Sequence, residues 1–80
     1  KFRCLALAFY ALEKGGNIPA IINAANEIAV DAFLKEKIGF LQIPELIEKA
    51  INGIGFVKNP DYNDYVFTDA ETRKFVASLL

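Results

Sequence analysis

Apolar residues recur along this chain at intervals of three and four, separated by short clusters of glycine, proline and asparagine. That is the pattern of helices joined by tight connections. The longest such run is residues 20–33, AIINAANEIAVDAF. Wound at 100° per residue, Ile21, Ile22, Ala25, Ile28, Ala29, Ala32 and Phe33 share one broad arc. Asn23, Asn26, Glu27 and Asp31 lie opposite, but Val30 and Leu34 fall among them. A helix apolar nearly all round is a buried one. The spacing therefore predicts a central helix over about 20–35. Ala24, Ala25, Ala29 and Ala32 would let neighbours come close, and Ile21, Ile28 and Phe33 would fill the gaps, with Ile28 mid-way along the apolar arc.

The remaining elements are arranged around it. Over residues 3–14, Leu5, Phe9 and Leu12 recur at helical spacing among alanines, and Gly15-Gly16 ends the run. Asn17 is placed to cap the central helix, and Pro19 suits its first turn. Residues 37–43 form a link with Ile38, Phe40, Leu41 and Ile43 apolar enough to rest on a bundle. Pro44 opens a third helix to about 53, with Leu46, Ile47, Ala50 and Ile51 on one face and Glu45, Glu48 and Lys49 on the other. Residues 55–67 carry the turn signal Asn59-Pro60-Asp61 and then Tyr62, Tyr65, Val66 and Phe67, which reads as an irregular loop. Thr68-Asp69-Ala70-Glu71 matches a capping box and places the start of the last helix at Thr68. The prediction is an all-α fold: a small four-helix bundle with one central buried helix (about 20–35) and one irregular loop (about 55–67).

Composition narrows the function classes. The 80 residues are 54% hydrophobic, and nine Lys and Arg are scattered among ten acids for a net charge of −1. There is no basic cluster of the kind nucleic acid requires. Asn23, Glu27 and Asp31 interrupt the best apolar run, so nothing approaches the ~20 residues of a membrane span. A single cysteine makes no internal disulfide and no metal motif, and the expected compartment is a reducing cytoplasm. The chain has no methionine and begins Lys1-Phe2-Arg3-Cys4, from which we expect one domain, residues 1–80, cut from a longer protein.

Reactive chemistry is sparse. Histidine is absent, which removes the commonest general base and metal ligand. Cys4 reads as an inert buried thiol, since no base is available to activate it. Glu27 and Asp31 lie one helical turn apart, but two carboxylates are too few for a metal site and read as an exposed acidic edge or partners for Lys and Arg. Gly15-Gly16 and Gly53/Gly55 lack the strand and the Lys-Ser/Thr of a phosphate loop. Asn23 and Asn26 stand out as amides in a helix that looks buried, and a buried amide must find partners. Hydrogen bonds to the backbone of adjacent loops are the expected role. The candidate residues are thus structural: Asn23, Asn26, Glu27, Thr68 and Glu71. Catalytic, cofactor-binding and metal-binding residues are expected to be none.

One string is more specific than any of these. Asn23-Ala24-Ala25-Asn26-Glu27, then Ala29-Val30, Ala32-Phe33-Leu34, Ile38-Gly39-Phe40 and Ile43-Pro44, resembles the C-terminal domain of the 1-deoxy-D-xylulose 5-phosphate reductoisomerase family. Phe2, Cys4, Leu5, Leu7 and Ala8 resemble that family's F-P-C-L-x-L-A opening, with Arg3 where proline is usual. Asp69, Ala70 and Arg73 resemble the D-A-x-x-R of its final helix. The likeness spans Phe2 to about Arg73, and departs from the family where residues 58–64 make a longer, more polar link.

The resemblance implies a four-helix C-terminal bundle that supports a catalytic domain and a dinucleotide-binding domain of the same chain. It also implies a whole enzyme that turns 1-deoxy-D-xylulose 5-phosphate into 2-C-methyl-D-erythritol 4-phosphate in non-mevalonate isoprenoid synthesis. That enzyme would use NADPH and Mg or Mn, and work as a homodimer, with no catalysis by these 80 residues alone. No catalytic or ligand residue of the family falls on a position of this chain. The competing expectation is a free-standing helical adaptor that docks a partner in an apolar groove.

Overall fold

The computed structural model describes residues 3–80, with side chains from Leu5 onward, and these residues form four helices. They are α1 (Arg3–Lys14), α2 (Ile18–Leu34), α3 (Gln42–Gly53) and α4 (Tyr62–Ser78). No strand occurs among the described residues. The all-α four-helix prediction holds. The expectation for Cys4 lies outside the described side chains.

The central helix is α2, which packs chiefly on α3 and α4 and more lightly on α1. Its contact surface is made of small residues: Ala24, Ala25 and Ala29 have no exposed surface, and Ala32 almost none. Side chains this short let the helix axes approach closely, so the larger Ile43, Leu46 and Ile47 of α3 and Val76 of α4 fill the core around them. Ile21, not Ile28, is the large residue fully enclosed; Ile28 is only partly buried at the edge of the cluster. The apolar arc is centred nearer Ile21 because α3 and α4 both press on the alanine stripe.

Helix ends follow local chemistry. Gly15 takes φ 67° and donates its N–H to Ala11 O, closing α1 in the left-handed manner glycine permits. At the end of α2 the left-handed residue is Glu36 (φ 60°), with Glu36 N donating to Phe33 O and Lys37 N to Ala32 O. That is a Schellman termination without its usual glycine. The link then crosses back, and Phe40 meets Phe33 edge to face at 5.7 Å between ring centres.

The loop predicted over 55–67 is shorter than the sequence suggests, because residues 62–67 are helical. α4 starts at Tyr62, not Thr68. Asp61 Oδ1 accepts from Asp64 N (2.8 Å), and Asp64 Oδ2 accepts from Asp61 N (3.1 Å), a reciprocal capping box. The Thr68–Glu71 pattern has the same spacing one helical stretch later, and there it caps nothing. The aromatic residues at 62–67 have no partner strand among the described residues, whereas the helix carries Thr68, Thr72 and Val76 into the interior.

Two stability measurements check this arrangement. Ile21→Ala should cost ~2–5 kcal/mol in denaturant melts, and Ile28→Ala distinctly less, because only the first opens an enclosed cavity. Asp61→Ala should cost ~0.5–2 kcal/mol by stranding an N–H of the first turn of α4. A larger loss at Ile28 than at Ile21 would contradict the placement of the core.

Candidate functional site

The most connected polar group in the molecule is Asn17, whose side chain is fully buried. It occupies the capping position of α2, yet its side chain makes no capping bond. Its Nδ2 donates to Gly55 O (2.9 Å) and to Thr68 Oγ1 (3.0 Å), and its Oδ1 accepts from Val57 N (2.9 Å). The Asn17 backbone N–H donates to Val57 O at 2.9 Å, and its carbonyl accepts from Ile21 N. Every donor and acceptor of the residue is therefore used. One amide joins the α1–α2 turn, the 54–61 loop and the middle of α4.

The turn beforehand makes room for this. Gly16 sits at φ 58°, and a Cβ there would meet the Val57 carbonyl oxygen and the Phe56 ring. Positive φ and close approach both select glycine here. The same packing closes the space over Gly16, whereas nothing approaches Gly15. Lys14 adds a lighter tie, its Nζ standing 4.8 Å from the centre of the Phe56 ring.

The sequence-predicted residues are dispersed rather than gathered. Asn23 and Asn26 lie exposed on α2 and make no side-chain hydrogen bond among the described residues, so their expected bonds to neighbouring loops are not made. The side of α2 that carries them is covered by neither α3 nor α4. Glu27 is exposed and its Oε1 accepts from Arg73 Nη2 at 2.8 Å. Arg73 Nε also donates to Asp69 Oδ2 at 3.0 Å. These bonds, to Asp69 first and to Glu27, push the guanidinium pKa above its already high ordinary value, so it is a fixed cation linking α2 to α4. Asp31 pairs with Lys35 at 3.0 Å. Thr68 is buried in mid-helix as the acceptor for Asn17, and Glu71 is half-buried on α4.

Among the described residues no group of three or more His, Cys, Asp and Glu could hold an ion, and Glu27 and Asp31 are engaged by different cations. Among the described residues no helix is long and apolar enough to cross a membrane. What the surface does offer is apolar area. On α1, Leu5, Phe9 and Leu12 stand outward at 55%, 63% and 81% exposure, while among its described side chains Ala11 is buried and Leu7 partly so. Phe40 and Leu41 in the link, and Tyr62, Tyr65, Val66 and Phe67 on α4, are also exposed.

Comparison with known proteins matches this chain over nearly its whole length. The family model described as the DXP reductoisomerase C-terminal domain matches residues 1–75. A protein of Phocaeicola vulgatus named 1-deoxy-D-xylulose 5-phosphate reductoisomerase is 54% identical over 80 residues, covering 100% of this chain and 21% of the relative. Proteins of the same name from Bacteroides thetaiotaomicron and Bacillus pumilus are 51% and 52% identical, again over 100% of this chain and over 20% and 21% of their own lengths. The chain thus spans about a fifth of the length of the curated relatives it matches. No solved structure matches it.

Asn17 and Thr72 make a contrasting pair for mutation. Asn17→Leu strands the Val57 N–H, the Gly55 carbonyl and the Thr68 hydroxyl together, and should cost roughly 2–4 kcal/mol in denaturant melts. Thr72 Oγ1 is buried with no hydrogen-bond partner. Thr72→Val keeps the shape and removes the orphan, so it should be neutral or stabilise by up to ~1 kcal/mol. A tolerated Asn17→Leu would show that the amide is not the junction.

Proposed function

This chain belongs to the DXP reductoisomerase C-terminal domain family, and we propose that residues 1–80 are the single C-terminal structural domain of such an enzyme and a scaffold for its chemistry. The observation that carries this reading is the match along the whole chain to proteins about five times its length. The enzyme as a whole converts 1-deoxy-D-xylulose 5-phosphate to 2-C-methyl-D-erythritol 4-phosphate in the cytoplasm, and acts as a homodimer. By its family likeness that enzyme would use NADPH and Mg or Mn.

Those groups are bound by the catalytic and dinucleotide-binding domains. The chemistry of this chain supports the division. It has no histidine, its neighbouring carboxylates Glu27 and Asp31 hold Arg73 and Lys35, and the second of its paired glycines, Gly16, is packed under Val57 and Phe56. Its own task is to present a rigid apolar surface. Leu5, Phe9 and Leu12 of α1, with Phe40 and Leu41 of the link, form the strip that rests on the catalytic domain. Exposed side chains of this size are costly on a free-standing surface and favourable under a neighbouring domain.

Titration of the 80-residue chain with NADPH and with Mg should give no saturable binding, and the chain should not turn over the sugar phosphate. In the full-length enzyme, Phe9→Ser should lower thermal stability or turnover and leave the preference for NADPH over NADH unchanged. Saturable binding of either ligand to the isolated chain would overturn the assignment.

A further inference from the structure

The side of α2 that faces neither α3 nor α4 lies between two grooves. One, of about 440 Å³, runs between α1 and α2 and is walled by Leu12 and Ile22. The other, of about 350 Å³, runs between α2 and α4 and is walled by Tyr65 and Val66. Asn23 lines both grooves, so they adjoin across α2, and Asn26 lies in the first. The two asparagines, three residues apart, share one helix face.

Both are poor choices for a helix surface meant only for water. Asparagine costs roughly half a kcal/mol relative to alanine in mid-helix, and Lys, Glu or Gln would solvate the face at less cost. The amides carry donors and acceptors but have no partner among the described residues. Around them, Leu12, Tyr65 and Val66 are 81%, 45% and 51% exposed. The two carboxylates beside them, Asp69 in the second groove and Glu27 on α2, are both held by Arg73. A polar pair with both hydrogen-bonding senses, set between two channels whose exposed walls are mainly apolar and whose carboxylates are already paired, suits polypeptide backbone with apolar side chains on either side. It does not suit a charged ligand.

From this we infer that Asn23 and Asn26 clasp the main chain of a segment from the other four fifths of the enzyme. That segment drops its apolar side chains into the two grooves. The inference rests on the scaffold reading above and extends the docking surface from α1 across α2 to α4. The occupant is set by length: the matched relatives have about four times as much further chain to place against a domain of this size.

Thiol labelling of the full-length enzyme, in a background without reactive native cysteines, tests it at three single sites. They are Asn23→Cys in the proposed seam, Phe9→Cys on the α1 strip and Glu45→Cys on the exposed face of α3. The inference expects position 23 to label at least ~10-fold more slowly than position 45. If 9 is slow but 23 labels like 45, the seam is overturned and the scaffold reading stands. If 9 and 23 both label like 45, both fall. A second measurement isolates the amides. Asn23→Leu, similar in size but without hydrogen-bonding groups, should lower the melting temperature of the full-length enzyme. A rise would overturn the clasp, because a purely apolar seam would accept leucine.

Discussion

A single buried amide decides how this small fold closes. Asn17 spends each of its donors and acceptors on three separate parts of the chain, and leaves none to water. A bond between neutral groups is worth only ~1 kcal/mol net. The weight of the residue lies in what it would strand: the Gly55 carbonyl and the Val57 N–H of the 54–61 loop both depend on this side chain. Gly16 must be small for the approach, and Thr68 must face inward to receive the second Nδ2 hydrogen. The start of α4 at Tyr62 follows in turn, since it takes about two turns of helix to carry Thr68 to that spot.

The rest of the core is arranged for nearness rather than bulk. The alanines of α2 bring α3 and α4 close, so a chain of 80 residues builds a dense interior with few large side chains. The cost is that many larger apolar residues are left outside, on α1, in the link and along the first half of α4. Under the scaffold reading proposed above, a neighbouring domain covers them. Arg73, fixed between Asp69 and Glu27, ties α2 to α4 at the surface, where an ion pair tolerates the water that the alanine seam excludes.

How much of this could be read from the residues varied with the kind of signal. Periodicity and glycine placement located three helices and their ends to within about two residues, because 3.6-residue spacing is a direct imprint of burial. The family resemblance in the Asn23–Glu27 string was specific enough to hold. Choosing among like residues was harder. Three asparagines lie within ten positions, and the helix pattern singled out Asn23 and Asn26, whereas the buried one is Asn17 in the turn. Its partners at Gly55, Val57 and Thr68 are too distant in sequence to leave a local trace. Likewise Asp61-x-x-Asp64 and Thr68-x-x-Glu71 offer the same box twice. Only the need to bury Thr68, Thr72 and Val76 selects the first. In α1 the stripe of Leu5, Phe9 and Leu12 was legible, but periodicity alone does not say whether a stripe faces its own core or a neighbour.

The Asn17 junction also sets the order in which the domain can assemble. Its three side-chain bonds span 38, 40 and 51 residues of sequence, unlike the local bonds within the helices. None of them can form until the chain has closed loops of that length, and closure entropy rises with the logarithm of the span. Helices can flicker into place on the submicrosecond scale. The junction must wait for α2, the following loop and α4 to be side by side. It therefore needs long-range closure that the local helical bonds do not. Interactions made after the folding barrier act mainly on the rate of escape from the native state. If the Asn17 bonds form on that side of the barrier, their loss would show as faster unfolding, and persistence is the property that the proposed scaffold role calls for.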